Sequence, residues 1–316
     1  MLINKQRLHF YGLFLILLFV ILSAGKEVCI GNLVQKIDPF FLNSFCFILV
    51  TLAFYLKIFF KAKHRFSFSA SLRKNASNFI FLNISTMLFW TSSFFGLQYL
   101  EPSIGHSIST AIGPIITMFW LYVKEKQRLQ FSEVTIAFFI LGIILYMSII
   151  SLLGKTGIGH ISLHNVLYGI IAFFVAGGSI VGNTIFSKKL GKANVPADFV
   201  LAGRFYLLIL VSFSLFLFTN AEFQFNIIIE EFPRVILLTF FGIAIPLFIL
   251  QKGIEKTDPL STSYIILIGP IFTYIFQIFD SRLVPSSTSL LSISLVIVLV
   301  LYLVKKRYYS SIQRVS

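Results

Sequence analysis

The chain has 316 residues, of which 57% are apolar and only 12% charged, and a formal net charge of +14. So few charged side chains cannot coat a water-soluble body of this length, which excludes a soluble globular class. The basic excess is parcelled out between apolar runs, which excludes a nucleic-acid surface.

The first run, residues 8–30, follows Lys5 and Arg7 and passes Ser23-Ala24-Gly25, an imitation of a signal-peptide cleavage site. The apolar run restarts beyond Gly25, so the segment reads as a retained span. Further runs follow at 40–60, 79–99, 104–123 and 131–153, then at 166–186, 199–219, 235–253, 261–279 and a short one at 290–304. Each is close to the ~20 residues that cross a bilayer core as a helix. They are too long for barrel strands, and an open sheet cannot satisfy its backbone in lipid. The sequence therefore predicts an all-α membrane protein of ten transmembrane helices. The 38 Phe residues read as lipid-facing bulk. Cys29 and Cys46, both inside spans, read as buried apolar residues and not as a disulfide or metal pair.

Basic residues collect in every second inter-span segment. One set holds Lys5 and Arg7, then Lys57, Lys61, Lys63, Arg65, Arg73 and Lys74, then Lys124, Lys126 and Arg128. It continues with Lys188, Lys189 and Lys192, then Lys252 and Lys256, and a tail with Lys305, Lys306, Arg307 and Arg314. The alternate segments hold only Lys36, Lys155, Arg234 and Arg282. This places the basic-rich end and both termini in the cytoplasm of a cell whose inner membrane the chain spans. Anionic lipid headgroups are the expected partners of that face.

The halves repeat. An offset of 157 places Tyr11-Gly12 on Tyr168-Gly169, Gly25 on Gly182, Pro39 on Pro196 and Pro102 on Pro259. With one residue of slippage, Gly113-Pro114 falls on Gly269-Pro270 and Leu145-Tyr146 on Leu301-Tyr302, and the acidic residue just before the last helix of each half also corresponds, Glu125 with Asp280. Residues 1–157 and 158–316 are thus expected to be two five-helix repeats. Five spans per copy force the second copy to be inverted, an architecture of secondary transporters.

These features resemble the drug/metabolite transporter superfamily, in its ten-helix EamA-like form. The likeness rests on the paired five-helix units and the short hairpins Gln98-Tyr99-Leu100-Glu101-Pro102-Ser103 and Glu255-Lys256-Thr257-Asp258-Pro259-Leu260. Gly113-Pro114, Gly269-Pro270 and the Arg of Ala202-Gly203-Arg204-Phe205 extend it, although the first half has Phe45-Cys46-Phe47 where a matching Arg belongs. The resemblance implies alternating-access transport of a small metabolite, with amino-acid-like export first. Uptake or exchange of a nucleotide-like metabolite or vitamin, or a lipid-linked sugar flippase subunit, is the alternative. It does not imply an enzyme, and the chain is expected to act as a monomer or homodimer.

Lys26 and Glu27 lie deep in the first span, where an ionisable residue must be paired or face water. Neighbours in sequence do not share a helix face, so the two are not expected to pair with each other. Trp90 and Ser93 on the third span, His106 and Ser109 on the fourth, and Asn183, Gln251, Ser263 and Tyr264 in the second half complete the expected substrate-binding set. Ser and Thr on such helices also serve packing alone. Glu27 and His106 are the candidates for proton coupling. Arg204 fits a carboxylate or phosphate geometrically, but its family position implies a structural role. Gly113, Pro114, Pro246, Gly269 and Pro270 are expected to interrupt helices. No phosphate loop or His-Glu-x-x-His pattern occurs, so neither ATP nor a cofactor is implied. His160 and His164 have metal-ligand spacing without a carboxylate or Cys beside them, and no metal is expected.

Overall fold

The computed structural model describes residues 2–60, 62–126, 131–158, 161–219 and 225–313. His160 lies outside them. Among the described residues all regular structure is helical. In chain order the helices are α1 (Leu2–Leu33), α2 (Pro39–Phe59), α3 (Ala62–Lys74), α4 (Ala76–Gly96) and α5 (Pro102–Glu125). Then come α6 (Phe131–Leu152), α7 (Leu163–Lys192), α8 (Ala197–Gly203), α9 (Tyr206–Phe218) and α10 (Phe225–Leu237). A π-helical turn, Leu238–Ala244, joins α10 to α11 (Ile245–Lys256), followed by α12 (Pro259–Ile266), α13 (Gly269–Gln277) and α14 (Ser287–Gln313).

Among the described residues six helical stretches are long and apolar enough to cross a membrane: Arg7–Leu33, Pro39–Phe59, Ala76–Gly96, Leu163–Lys192, Ala197–Phe218 and Asn226–Lys256. Shorter apolar helices cover Ala137–Leu152, Ser261–Gln277 and Ser287–Leu299. The 24-residue α5 concentrates Ser103, His106, Ser107, Ser109 and Thr110 in its first half.

Helix starts follow local chemistry. The Asp38 carboxylate accepts the N–H groups of Phe40 and Phe41, both at 2.9 Å, and Pro39 opens α2 where no N–H is needed. Two of the apolar runs are broken, the first unexpectedly and the second where Gly269-Pro270 predicts it. Residues 199–219 divide at Arg204-Phe205, because the Asn83 amide inserts into the backbone ladder. It donates to the Gly203 carbonyl at 2.8 Å and accepts the Leu207 N–H at 3.3 Å, replacing the bond these two would make with each other. Residues 261–279 divide just before Gly269-Pro270, where Pro270 brings no N–H to continue the ladder. Pro246 opens α11 directly after the π-helical turn. The expectation for Gly113 and Pro114 is corrected, since α5 runs unbroken through both. A helix can lose one backbone bond to proline and continue where neighbouring helices support it.

Glycine sets the closest approaches. A Cβ on Gly12 of α1 would meet Thr257 at 2.7 Å, Lys256 at 2.8 Å and the Gly253 carbonyl at 3.1 Å. A Cβ on Gly169 of α7 would meet Leu100 at 2.9 Å, Tyr99 at 3.1 Å and the Gly96 carbonyl at 3.4 Å. All four residues of the first setting map onto the second at the 157-residue offset. The helix pairs do likewise, α1 packing on α11 as α7 packs on α4.

Where α5 crosses α7, a Cβ on Gly177 would stand 2.6 Å from the Ser109 carbonyl oxygen. That obstacle is backbone and cannot rotate aside. Gly177→Ala should therefore destabilise the fold by about 1–3 kcal/mol, as overpacking of a tight core does. Equilibrium unfolding in detergent measures this, and an unchanged midpoint contradicts the crossing.

Candidate solute site

Helix α1 continues through Leu33, so Lys26 and Glu27 sit within a helix and not at a frayed end. Both are buried, at 7% and 5% exposure. The expectation that they do not pair is corrected: Lys26 Nζ lies 2.9 Å from Glu27 Oε1. The rule about faces concerns Cβ directions, whereas the four-carbon lysine stem can fold its ammonium round toward an adjacent carboxylate.

The pair sits where several elements meet. The Lys26 ammonium lies 4.4 Å from the Trp90 ring centroid. Trp90 is 2% exposed and fixed by Phe47, with centroids 4.8 Å apart, and by Phe89 and Phe94. Across the bundle the π-helical turn brings Gly242 against the lysine stem, its Cβ direction 3.6 Å from Lys26 Cβ. His106 of α5 is within electrostatic reach of both charges. Its Nδ1 is 2.7 Å from Thr273 Oγ1 on α13, and its ring fills the space beside Gly269, where a Cβ would be 2.7 Å from Cε1. Lys26, Glu27 and Trp90 thus form one cluster beside the π-helical turn, while His106 contacts Thr273 and Gly269 at the broken helix.

The remaining expected site residues lie elsewhere or are otherwise engaged. Asn183 Oδ1 accepts from Ser85 at 3.2 Å, Thr86 at 2.8 Å and Arg204 Nη2 at 3.0 Å. Arg204 Nε also donates to Thr86 Oγ1 at 3.2 Å, so this buried guanidinium ties α4 and α7 to the α8–α9 break. Ser109 and Ser263 donate to carbonyls of their own helices, at His106 and Pro259, both at 3.0 Å. Ser93 is buried one turn beyond Trp90, and Tyr264 is 2% exposed on α12. Gln251 is fully buried on α11, about 13 Å along the helix from Gly242 at 1.5 Å per residue.

Two polar centres were not singled out in the sequence. Glu101, in the hairpin before α5, has no exposure at all. Its Oε1 accepts from Gln277 Nε2 at 2.6 Å and Ser103 Oγ at 2.8 Å, and its Oε2 from the Gly157 N–H at 2.7 Å and Ser289 Oγ at 3.0 Å. One carboxylate thus joins α5, α13, α14 and the loop at Gly157. Beside it Arg282 binds Asp280 in a bidentate pair and donates to the Gly31 carbonyl of α1.

Burial raises the Asp280 carboxyl pKa, but hydrogen bonds and charge from Arg282 outweigh this and hold it below its ordinary value. The folded pKa is thus lower than the unfolded one, so the stabilisation is present above the unfolded carboxylate range. It is lost as pH falls through the folded pKa. Asp280→Asn should flatten the acid limb of a stability–pH curve and leave its neutral-to-basic slope unchanged; an unaltered acid limb contradicts the pair.

No protein-family model matches the chain, and no curated protein does. Fifteen chains of solved structures match. One, a protein crystal structure, is 16% identical with a TM-score of 0.64, over 95% of this chain and 97% of its own. At that identity the similarity is one of fold.

Proposed function

We propose that the chain is a ten-helix secondary transporter of the EamA-like type, built as two inverted five-helix repeats, which moves a small zwitterionic metabolite by alternating access. The buried Lys26–Glu27 pair carries this reading. Burying two charges costs several kcal/mol per ion before their attraction offsets it, so the pair is poor material for stability alone. A zwitterion can replace it without leaving a charge unmatched: its carboxylate takes Lys26 and its ammonium takes Glu27. A net anion or cation would strand one partner in the dry core. Trp90 offers a flat apolar wall to the solute's side chain.

The matching surroundings of Gly12 and Gly169 support the duplication, and the breaks at Gly269-Pro270 and the π-helical turn supply places where the halves can bend. The basic-rich loops support cytoplasmic termini and an inner membrane, with export as the favoured direction. Counterflow in proteoliposomes against amino acids, nucleosides and vitamins tests the reading. Exchange of an amino acid supports it. If no member of the panel exchanges, the reading fails.

A further inference from the structure

The apolar stretch of α1 begins at Arg7, and the stretch that contains α11 ends at Lys256. These two ends meet. A Cβ on Gly12 would stand 2.8 Å from Lys256 Cβ, and the Lys256 ammonium lies 5.8 Å from the centroid of the Tyr11 ring. Two basic residues thus mark the same end of two neighbouring helices, at the level where an apolar stretch gives way to lipid headgroups.

The surface between this level and the interior of the span is concave. Arg7, Phe10, Tyr11 and Phe14 follow the i, i+3, i+4, i+7 spacing of a single helix face and line an open groove of about 400 Å³. The three aromatic side chains are each more than half exposed. From Arg7 to Phe14 the groove runs about 10 Å along the helix, at 1.5 Å per residue. No acidic residue precedes Glu27 in the chain, so none on this part of α1 neutralises Arg7. Next to Lys256 in sequence, Glu255 is matched by Lys252, its Oε2 lying 3.6 Å from Nζ. Asp258 accepts the Ser261 N–H at 2.9 Å and caps α12.

We propose that this groove binds one anionic glycerophospholipid. The phosphate takes Arg7 and Lys256, the Tyr11 ring sits at the boundary that suits an apolar body with a polar tip, and an acyl chain lies along Phe10 and Phe14. Two cations facing one phosphate leave a positive charge in excess. That excess favours a headgroup without a charge of its own and repels one that carries a choline or ethanolamine cation. The site is about 28 Å along α1 from Lys26, at 1.5 Å per residue, and is separate from the Lys26–Glu27 pair. It rests on the chain lying in a bilayer and not on the transport reading.

Native mass spectrometry of the full chain in detergent, with phosphatidylglycerol and phosphatidylcholine of identical acyl chains in equal amount, tests the site. The wild type should retain one phosphatidylglycerol, saturably, with about tenfold preference over phosphatidylcholine. Arg7→Gln/Lys256→Gln should abolish the preference. Phe10→Ala/Phe14→Ala alters exposed side chains only, and should weaken retention of both lipids while keeping the preference. Equal retention of the two lipids by the wild type overturns the proposal, as does a preference that survives Arg7→Gln/Lys256→Gln. Retention that ignores Phe10→Ala/Phe14→Ala places the lipid outside the groove and overturns it too. Excess inorganic phosphate should leave the lipid bound; if phosphate displaces it, the cations form a free-anion site and the lipid assignment fails.

Discussion

Lys26→Ala should destabilise the protein by about 3–5 kcal/mol, because it leaves Glu27 charged and unpaired inside the bundle. Glu27→Ala should cost about as much by stranding the ammonium, despite the Trp90 face beneath it. The double variant Lys26→Met/Glu27→Gln removes both charges and should return to within about 1–2 kcal/mol of wild type, since apolar packing replaces buried ion pairs with little loss. That variant is the informative one. It should fold, as read by thermal unfolding in detergent, and show no counterflow for the solute the wild type exchanges. If it exchanges at the wild-type rate, the pair is structural and the solute site lies elsewhere.

Glu101→Ala should be the second severe change, at about 4 kcal/mol. Four donors lose their acceptor, each worth about 1–3 kcal/mol when left buried, and these contributions overlap because the donors share one site. Glu101→Gln should recover only part of this loss, since an amide nitrogen then faces donors where a carboxylate oxygen accepted two. The readout has two parts: a lowered unfolding midpoint, and faster maleimide labelling of Cys29, which lies at the same end of α1 as the Gly31 contact of Arg282. Unchanged labelling and midpoint together would mean the four bonds stabilise nothing.

The helical character and the stretches long and apolar enough to cross a membrane were legible because they depend on composition summed over ~20 residues at a time. So was the place of Lys26 and Glu27 well inside the first helix, which requires only counting along it. Their mutual contact was not legible, because helical-face arithmetic places Cβ atoms and a flexible lysine is not bound by it. Glu101 looked like an ordinary hairpin acid. Its burial depends on Gln277 and Ser289, whose positions relative to it follow only from tertiary packing. Asn83 was hidden for the same reason: an Asn in an apolar run reads as a minor blemish until its amide is seen holding Gly203 and Leu207 apart. Breaks encoded by Gly-Pro were visible at Gly269-Pro270, yet the same dipeptide at Gly113-Pro114 left α5 whole. The dipeptide permits a break, and packing decides whether one occurs.

The π-helical turn has a consequence for phase. Its bonds reach five residues back, as from the Ile245 N–H to the Phe240 carbonyl, so a residue is fitted in that an α-helical count does not allow. Each residue of an α-helix advances the azimuth by about 100°. A helical wheel drawn from α10 therefore misassigns every face of α11 by roughly that angle. The added rotation is carried by all of α11, Gln251 and Glu255 included, while Gly242 holds the turn against Lys26. Regularising the turn by deleting one of its residues would act as a twist on a shaft, changing which neighbours the far end meets while leaving its composition untouched.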